Sequence, residues 1–359
     1  MAPRAAFVSF RFGPTDGVSV VARTWMAAFE HFGFDVVTVT GDEGSDRTVP
    51  GLGIVDPGAE TESEPPDRAQ LDKALSDADL VVVENLLTIP LNLPASRVTA
   101  QVLAGRPALV HHHDPPWHRE RFAHITELPA TDPAWRHVAV NGLLSRELAE
   151  RGIDAVTIHN GFEIPDPVDL VARREARDHV RRAVGLPTDA TVVAHPVRAI
   201  DRKNLPDAIA LAEALEATYW LLGPAEEGYG PELERLIAHA TCPVVHRPWP
   251  DPFGIYAAAD HIAFPSTWEG FGNPPIEAAL YRRPVTVGHY PVADELRAFG
   301  FSWFDPGDVD GVRRFLAEPD GESARSTLDR NEHIARTHFS VDRVRDQLAA
   351  LLTDAGWMP

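Results

Sequence analysis

The segment "EGFGNPPIEA", residues 269–278, combines two glutamates with glycines and prolines. Glu269 follows a predicted strand, and Glu277 lies in the first turn of a predicted helix that begins near Pro274, a position where proline is favoured. A polyhydroxylated, phosphorylated ligand could use both carboxylates. The alternative is that Glu277 only complements the dipole of the helix.

The two prolines of this segment, Pro274 and Pro275, have no backbone N–H group and cannot donate a hydrogen bond. Amide donors to a ligand must therefore come from the residues beside them. These are Gly270, Phe271, Gly272, Asn273 and Ile276.

Two cations five positions apart, Arg198 and Lys203, follow the predicted strand 191–196. A guanidinium can bind two phosphate oxygens and an ammonium adds a compact charge, so the pair suits a diphosphate. Lysine is rare in this chain, with two lysines among 33 basic residues, which favours a specific role for Lys203. The alternative is an ordinary surface loop in which Arg202 and Asp201 pair locally.

Three consecutive histidines end the predicted strand 108–113, and His111 and His113 point to the same side of it. With Asp114, and with His118 nearby, they could bind zinc. A hydrogen bond from one histidine to a substrate hydroxyl is an alternative, and burial in the core is another. The sequence alone does not decide among them, nor whether His111 or His113 faces a ligand.

The first predicted strand, 5–10, leads into a loop with Gly13 and Gly17 before a helix that begins near Val18. Glycines at such a turn allow backbone amides to approach an anion at the helix N-terminus. The spacing differs from the dinucleotide-binding fingerprint, so a phosphate site and a plain turn are both open.

The elements that position these residues alternate between short apolar strands and longer helices. This pattern predicts an α/β fold with two doubly wound, Rossmann-like domains that face a cleft. We expect an N-terminal domain at 1–165, a linker at 166–190, a second domain at 185–335, and a C-terminal helix at 340–359. That last helix could pack back on the N-terminal domain. The arginine-dense run 173–182 is typical of a solvated helix face.

Composition limits the possible partners. The 33 basic and 53 acidic residues give a net charge of −20. This charge argues against a nucleic-acid partner and against association with an anionic membrane. Cys242 is the only cysteine, so no intrachain disulfide can form. No apolar run is long enough for a signal peptide or a membrane-spanning helix, and we expect a cytoplasmic protein.

Taken together, these motifs resemble the retaining GT-B-fold glycosyltransferases of family four, which includes bacterial mannosyl- and glucosyltransferases. The "EGFGNPPIEA" segment matches the E-x7-E signature of that family, and Arg198 and Lys203 match its R-x-x-x-x-K pair. "HD" at His113 and Asp114, "GPTDGVS" after the first strand, and "IHNGFE" near residue 160 also match in order. The resemblance covers essentially the whole chain. It implies that the domain at 1–165 is the acceptor side and that the domain at 185–335 binds the nucleotide sugar.

This resemblance implies a role for each matched residue. Glu277 would hold the nucleotide ribose, Glu269 would contact sugar hydroxyls, and the amides of 270–273 would position the sugar. The same family pattern places Arg198, Lys203 and Gly17 at the diphosphate and His113 at the sugar. Acceptor contacts would come from Arg11, Glu84, Asn85, Asp114 and Trp117.

The predicted activity is transfer of a hexose, from GDP-mannose or UDP-glucose, to the hydroxyl of a small or carbohydrate acceptor. No cofactor and no metal ion are expected, because fixed cations would neutralise the leaving diphosphate. No second carboxylate marks a covalent nucleophile, so retention would proceed by front-face attack. The alternatives are a GT-B sugar-nucleotide epimerase or phosphorylase and a catalytically silent nucleotide-sugar-binding protein. The sequence does not indicate an oligomeric state.

Overall fold

The computed structural model describes residues 2–13, 17–55, 64–166 and 169–359. The chain divides into two compact units. Unit 1 contains Met1–Gly161 and Val341–Pro359, and unit 2 contains Phe162–Ser340. Each unit is built on its own parallel β-sheet.

The sheet of unit 1 has seven strands in the order β3-β2-β1-β4-β5-β6-β7, all parallel. The strands are β1 (Arg4–Val8), β2 (Asp35–Thr40), β3 (Arg47–Thr48), β4 (Leu80–Glu84), β5 (Ala108–His112), β6 (Trp135–Ala139) and β7 (Ala155–Thr157). The helices that accompany them are α1 (Gly17–His31), α2 (Arg68–Leu75), α3 (Leu93–Leu103) and α4 (Gly142–Ala149). Two 3₁₀ turns, Pro116–His118 and Glu120–Phe122, follow β5.

Both faces of this sheet are covered, which is why β4 and β5 are apolar along most of their length and buried throughout. One face packs in a core that includes Leu71 and Leu75 of α2. The other packs against Trp25 and Phe29 of α1. The last helix of the chain, at Val341–Asp354, adds Val344, Leu348 and Leu352 to that second core. The C-terminal helix therefore belongs to unit 1.

The sheet of unit 2 has five parallel strands in the order β10-β9-β8-β11-β12. The strands are β8 (Val192–His195), β9 (Thr218–Leu221), β10 (Val244–His246), β11 (His261–Phe264) and β12 (Val285–Val287). The helices are α5 (Leu170–Val184), α6 (Leu205–Ala214), α7 (Gly230–His239), α8 (Pro252–Ala258), α9 (Asn273–Leu280), α10 (Pro291–Arg297), α11 (Val309–Ala317) and α12 (Glu322–His338), with a 3₁₀ turn at Asp201–Lys203. The helix at Val341–Asp354 in unit 1 is α13.

The segment predicted as a linker, 166–190, contains helix α5, which packs in unit 2 against α8 (residues 167 and 168 lie outside the described part). The prediction of a fully solvated face for 173–182 is wrong at Arg181, which is fully buried. Its guanidinium donates to the carbonyl of Ala258 at the end of α8 and to Asp260. Alternating charges along a helix do not reveal such a buried acceptor in the distant sequence.

Among the described residues, no helix has both the length and the apolar character needed to cross a membrane.

Candidate active site

The strand order of unit 2 brings two of the predicted loops together. The order reverses between β8 and β11, which are neighbours in the sheet although their paired residues Val193 and His261 lie 68 positions apart in the sequence. Ligands of doubly wound sheets bind beyond the carboxyl ends of the strands at this point. The loop of Arg198 and Lys203 follows β8, and the loop of Glu269 follows β11.

A buried ion pair joins these two loops. Lys203 Nζ lies 2.5 Å from Glu269 Oε1, and the residues are 9% and 6% exposed. The ammonium also lies 5.1 Å from the centre of the Phe264 ring at the end of β11. Burial lowers the pKa of Lys203 against the opposing attraction of Glu269. A carboxylate and an ammonium are thus held together with little access to water.

Arg202 completes this cluster, which sequence reasoning missed. The local pairing proposed for it with Asp201 is not the ion pair of the structure, because its guanidinium lies 2.5 Å from Glu269 Oε2 instead. It also donates to the carbonyl oxygen of Trp268. Each oxygen of Glu269 therefore has its own cation, a contact between positions 67 apart that only the strand order creates.

Arg198 lies in the same loop but is not part of this contact. Its guanidinium pairs with Glu226 at 2.5 Å, and half of the side chain is exposed. Its positive charge is close enough to contribute to lowering the pKa of Lys203. Arg198 is therefore a third cation at this edge of the sheet, and it is held by a surface carboxylate.

The loop between Glu269 and α9 is shaped by Gly272, which has φ +97° and precedes the helix. A Cβ atom at this position would lie 2.7 Å from the Tyr290 hydroxyl, so both the backbone conformation and the space require glycine. Phe271 is buried and stacks on Phe162. The side chain of Phe271 thus anchors the loop between Gly270 and Asn273.

Glu277 is the fifth residue of α9, beyond the first turn in which it was predicted to lie. Tyr256 of α8 donates a 2.6 Å hydrogen bond to its Oε2. Burial raises the pKa of Glu277, and the Tyr256 hydrogen bond opposes that effect. Tyr256 itself is buried and stacks on Tyr281 with ring centres 5.0 Å apart. Tyr256 was missed as a site residue.

In unit 1 the residues at the end of β4 contact the residues at the end of β5. Glu84 Oε2 lies 3.0 Å from His111 Nδ1 and 3.1 Å from His113 Nε2. Asn85, with φ +60°, accepts hydrogen bonds through Oδ1 from the backbone amides of His113 and Asp114, and its Nδ2 donates to Asp114. Glu84 was predicted to contact an acceptor, but it is fully buried and contacts the histidines instead.

The electrostatics of this cluster keep Glu84 ionised. Burial raises its pKa, but the contacts of Glu84 with His111 and His113 outweigh burial and lower it to about 2. Burial lowers the pKa of His111 to about 4, so that this ring is neutral at pH 7. His111 is fully buried under the stacked ring of Trp25, and His113 keeps 9% of its side chain exposed. His113 is therefore the histidine of the pair that a ligand can reach.

The same three residues could hold a divalent cation, because their ligand atoms all lie within 4.8 Å of one another. The zinc set given as an alternative, with Asp114 and His118, is not formed: Asp114 bonds Asn85, and His118 lies 2.6 Å from Glu147. A metal-bound histidine donates its other N–H to an acceptor, whereas Nε2 of His111 is buried with no partner among the described residues. A buried nitrogen without a partner fits a metal site poorly. It fits a His111 ring that carries its proton on Nδ1, facing Glu84, and leaves Nε2 unprotonated.

The remaining predicted residues of unit 1 lie apart from this cluster. Trp117 donates to Glu147 at 2.9 Å, and Arg151 stacks 3.7 Å above its ring. Arg11 is exposed. Gly17 begins α1, and residues 14–16 of its loop lie outside the described residues. A Cβ at Gly17 would meet no described atom within 4 Å, so the described protein atoms do not require glycine there.

No family model matches the chain. Two curated relatives are each named mannosylglucosylglycerate synthase. The one from Thermotoga maritima is 25% identical over 96% of this chain and 99% of its own length. The one from Petrotoga mobilis is 24% identical over 79% of this chain and 82% of its own.

Solved structures with similar folds include HepE of Anabaena in complex with UDP-glucose, at 20% identity and a TM-score of 0.73 over 98% of this chain and 99% of that one. Sucrose-phosphate synthase from Thermosynechococcus elongatus is 16% identical, with a TM-score of 0.72 over 98% of each chain. These relatives and neighbours are GT-B glycosyltransferases. The chain has the GT-B fold, with two parallel-sheet α/β domains.

Proposed function

We propose that the protein is a glycosyltransferase that moves a hexose from a nucleoside diphosphate sugar to an acceptor hydroxyl. Transfer retains the anomeric configuration and uses no metal ion at the diphosphate. The observation that carries this proposal is the cluster of Lys203, Arg202 and Glu269 at the carboxyl ends of β8 and β11. Relatives named as sugar-transferring synthases and a neighbour bound to UDP-glucose support it.

The donor exchanges partners with this cluster when it binds. Its diphosphate takes the positive charges of Lys203, Arg202 and Arg198 in place of the carboxylates that neutralise them in the free protein. Glu269 is then available to accept hydrogen bonds from sugar hydroxyls. The exchange keeps the buried ammonium paired with negative charge throughout, which avoids the cost of an isolated buried ion.

The nucleotide ribose binds at Glu277. Oε2 of Glu277 already accepts a hydrogen bond from the Tyr256 hydroxyl, so the carboxyl group is fixed in orientation before the donor binds. Tyr256 is buried and held by stacking on Tyr281, which limits its own movement. A pre-oriented acceptor loses less conformational entropy on binding than a mobile one.

Catalysis follows from where negative charge develops. The bond between C1 of the sugar and the β-phosphate oxygen breaks, and the acceptor oxygen bonds C1 on the same face. The acceptor proton passes to the released phosphate oxygen. Charge therefore accumulates on the diphosphate, where the fixed cations stabilise the transition state, and each such group is worth about 10²–10³ in rate.

The comparisons suggest which substrates to test. One neighbour binds UDP-glucose, and the relatives' name describes a product containing mannose, glucose and glycerate. UDP-glucose and GDP-mannose are therefore the first donors to try. A small carbohydrate with a carboxylate is the first acceptor class, and Arg11, Asn85, Asp114 and Trp117 in unit 1 remain its candidate contacts.

Substitution of Lys203 tests the proposal, with a matched control in the only other lysine. Lys203→Ala should lower kcat for sugar transfer by at least about 10²-fold, because one diphosphate cation is lost. Lys73→Ala should leave kcat unchanged, since Lys73 is exposed on α2. Donor binding is first identified by thermal shift with a panel of nucleoside diphosphates. Transfer by Lys203→Ala at the wild-type rate would contradict the proposal.

A further inference from the structure

Glu84 is a fully buried carboxylate at the end of β4 that the proposed reaction does not use. One of its oxygens, Oε2, is within hydrogen-bond distance of both His111 and His113. The other, Oε1, is buried and has no partner among the described residues. Both ring contacts therefore depend on a single oxygen atom.

The chemistry of these groups fixes which nitrogens carry hydrogen. An ionised carboxylate can only accept, so His111 must donate from Nδ1 and His113 must donate from Nε2. A neutral imidazole with a proton on Nε2 has a lone pair on Nδ1. With its single proton on Nε2, the His113 ring would present Nδ1 as an acceptor. No hydrogen bond to this atom is formed by the residues that the structure describes.

The surroundings hold His113 in one position. Asn85 Oδ1 accepts hydrogen bonds from the backbone amides of His113 and Asp114, at 3.2 and 3.1 Å. The centre of the His111 ring lies 4.1 Å from the centre of the His113 ring. Trp25 stacks on the His111 ring, with ring centres 3.9 Å apart. The backbone and ring of His113 are thus restrained by two successive residues, Glu84 at the end of β4 and Asn85 directly after it.

We propose that Glu84 is a positioning residue that fixes His113 with Nδ1 as a hydrogen-bond acceptor for a hydroxyl group of the substrate. This inference rests on the proposed function, because it assigns the hydroxyl to the bound sugar substrate. It excludes His113 as a donor from Nδ1 and explains a buried carboxylate that no substrate can reach. A carboxylate that only stabilised the core would not affect sugar transfer through His113.

A spectroscopic measurement tests the arrangement without relying on activity. Long-range ¹H–¹⁵N correlation spectra at pH 7.5 report the protonated nitrogen of each histidine, with His111→Gln and His113→Gln for assignment. The wild-type protein should show His111 protonated on Nδ1 and His113 on Nε2. The isosteric Glu84→Gln should change or average the His113 pattern, because the amide supplies a donor where the carboxylate only accepts.

A matched control lies on the opposite side of β5. His112 hydrogen-bonds His137 through Nε2 at 2.9 Å, and both rings are buried in a separate polar contact. His137→Gln should alter the His112 signals and leave the His113 pattern and kcat/KM as in the wild type. It therefore measures the effect of disturbing a buried histidine pair as such.

A double-mutant cycle links the arrangement to function. Glu84→Gln should lower kcat/KM about 10- to 100-fold, the range found for groups that orient a functional histidine. In a His113→Ala background the same substitution should cost less than about threefold, because Glu84 acts through His113. Additive losses would overturn the positioning role even if transfer itself is observed.

Two further outcomes would overturn the inference. A wild-type spectrum with His113 protonated on Nδ1 would do so directly. So would one equivalent of Zn²⁺ that binds the wild-type protein, shifts both histidine signals and fails to bind Glu84→Gln, since the cluster would then be a metal site. Absence of sugar transfer by the wild-type protein would contradict the proposed function, while the spectra would still decide the arrangement of the histidines.

Discussion

Glu269 is neutralised by two cations from a loop more than 60 positions away in the sequence. Removing one partner of a buried ion pair leaves an uncompensated charge, which is costly. In the free protein, Lys203 and Glu269 satisfy each other. A diphosphate sugar offers both of them new partners at once: phosphate oxygens for the ammonium and hydroxyl groups for the carboxylate. This exchange of partners is the central feature of the account at the scale of single residues.

Tyr256→Phe is expected to raise KM for the donor about 10- to 100-fold, with a smaller change in kcat. The substitution removes the hydroxyl that orients Glu277 but keeps the ring that stacks on Tyr281. A hydrogen bond to a charged group is worth about 1.5–3 kcal/mol, and each 1.4 kcal/mol is a factor of ten. Steady-state kinetics with varied donor measures the effect.

Tyr219→Phe is the matched control, because Tyr219 is another buried tyrosine of unit 2 whose hydroxyl lies 2.8 Å from His195 Nδ1. We expect it to lower stability and leave KM for the donor unchanged. Equal KM values for the two variants and the wild type would refute a role for Tyr256 in donor binding.

At the scale of elements, the site depends on how α9 begins. The chain leaves β11, passes Glu269 and turns at Gly272 before Pro274 enters the first turn of the helix. Proline suits that position because its N–H would have no partner within the helix. The turn sets where Glu269 and Glu277 lie, so its backbone conformation is part of the site.

Gly272→Ala should impair donor binding as well as stability. Its φ of +97° is unfavourable for alanine, and the new Cβ would lie 2.7 Å from the Tyr290 hydroxyl. Gly300→Ala is a matched control with φ +103°, where the nearest atom to the new Cβ is Ile334 Cδ1 at 3.5 Å. Both variants should unfold at lower urea concentration, but only Gly272→Ala should raise KM for the donor. A normal donor KM in Gly272→Ala would contradict this view of the loop.

The sequence predicted most of the strands because β4, β5, β8 and β11 are short apolar runs. It missed β3, which has only two residues and no pattern to detect. The contact of Arg202 with Glu269 was also out of reach, since it depends on β8 and β11 being neighbours in the sheet. Likewise, periodicity placed His111 and His113 on one side of β5, but Glu84 joins them only through the pairing of β4 with β5.

At the scale of the whole molecule, five buried histidines limit stability in acid. Burial lowers the pKa of each, to about 4 for His111 and His137, to about 3 for His195 and His261, and well below the usual value for His112. Above about pH 6.5 these residues are neutral whether the chain is folded or unfolded. Their contribution to unfolding is therefore independent of pH in that range.

Below about pH 6.5 the unfolded chain binds protons that the folded chain excludes, so the free energy of unfolding should fall as the pH drops towards 4. Each histidine contributes up to about 1.4 kcal/mol per pH unit. Urea unfolding followed between pH 7 and 4.5 measures the loss, with the interval from pH 7 to 8.5 as an internal control. A midpoint that stays constant down to pH 4.5 would show that these rings are not buried in the neutral form.

The central claim is sugar transfer with retention and without a metal ion at the diphosphate. The most direct measurement is ¹H NMR of the reaction with UDP-glucose or GDP-mannose and an acceptor, in the presence of EDTA. The account predicts a glycosidic product whose anomeric signal has the configuration of the donor, formed at the rate seen without EDTA. A product of inverted configuration, or activity that EDTA abolishes and a divalent ion restores, would contradict it.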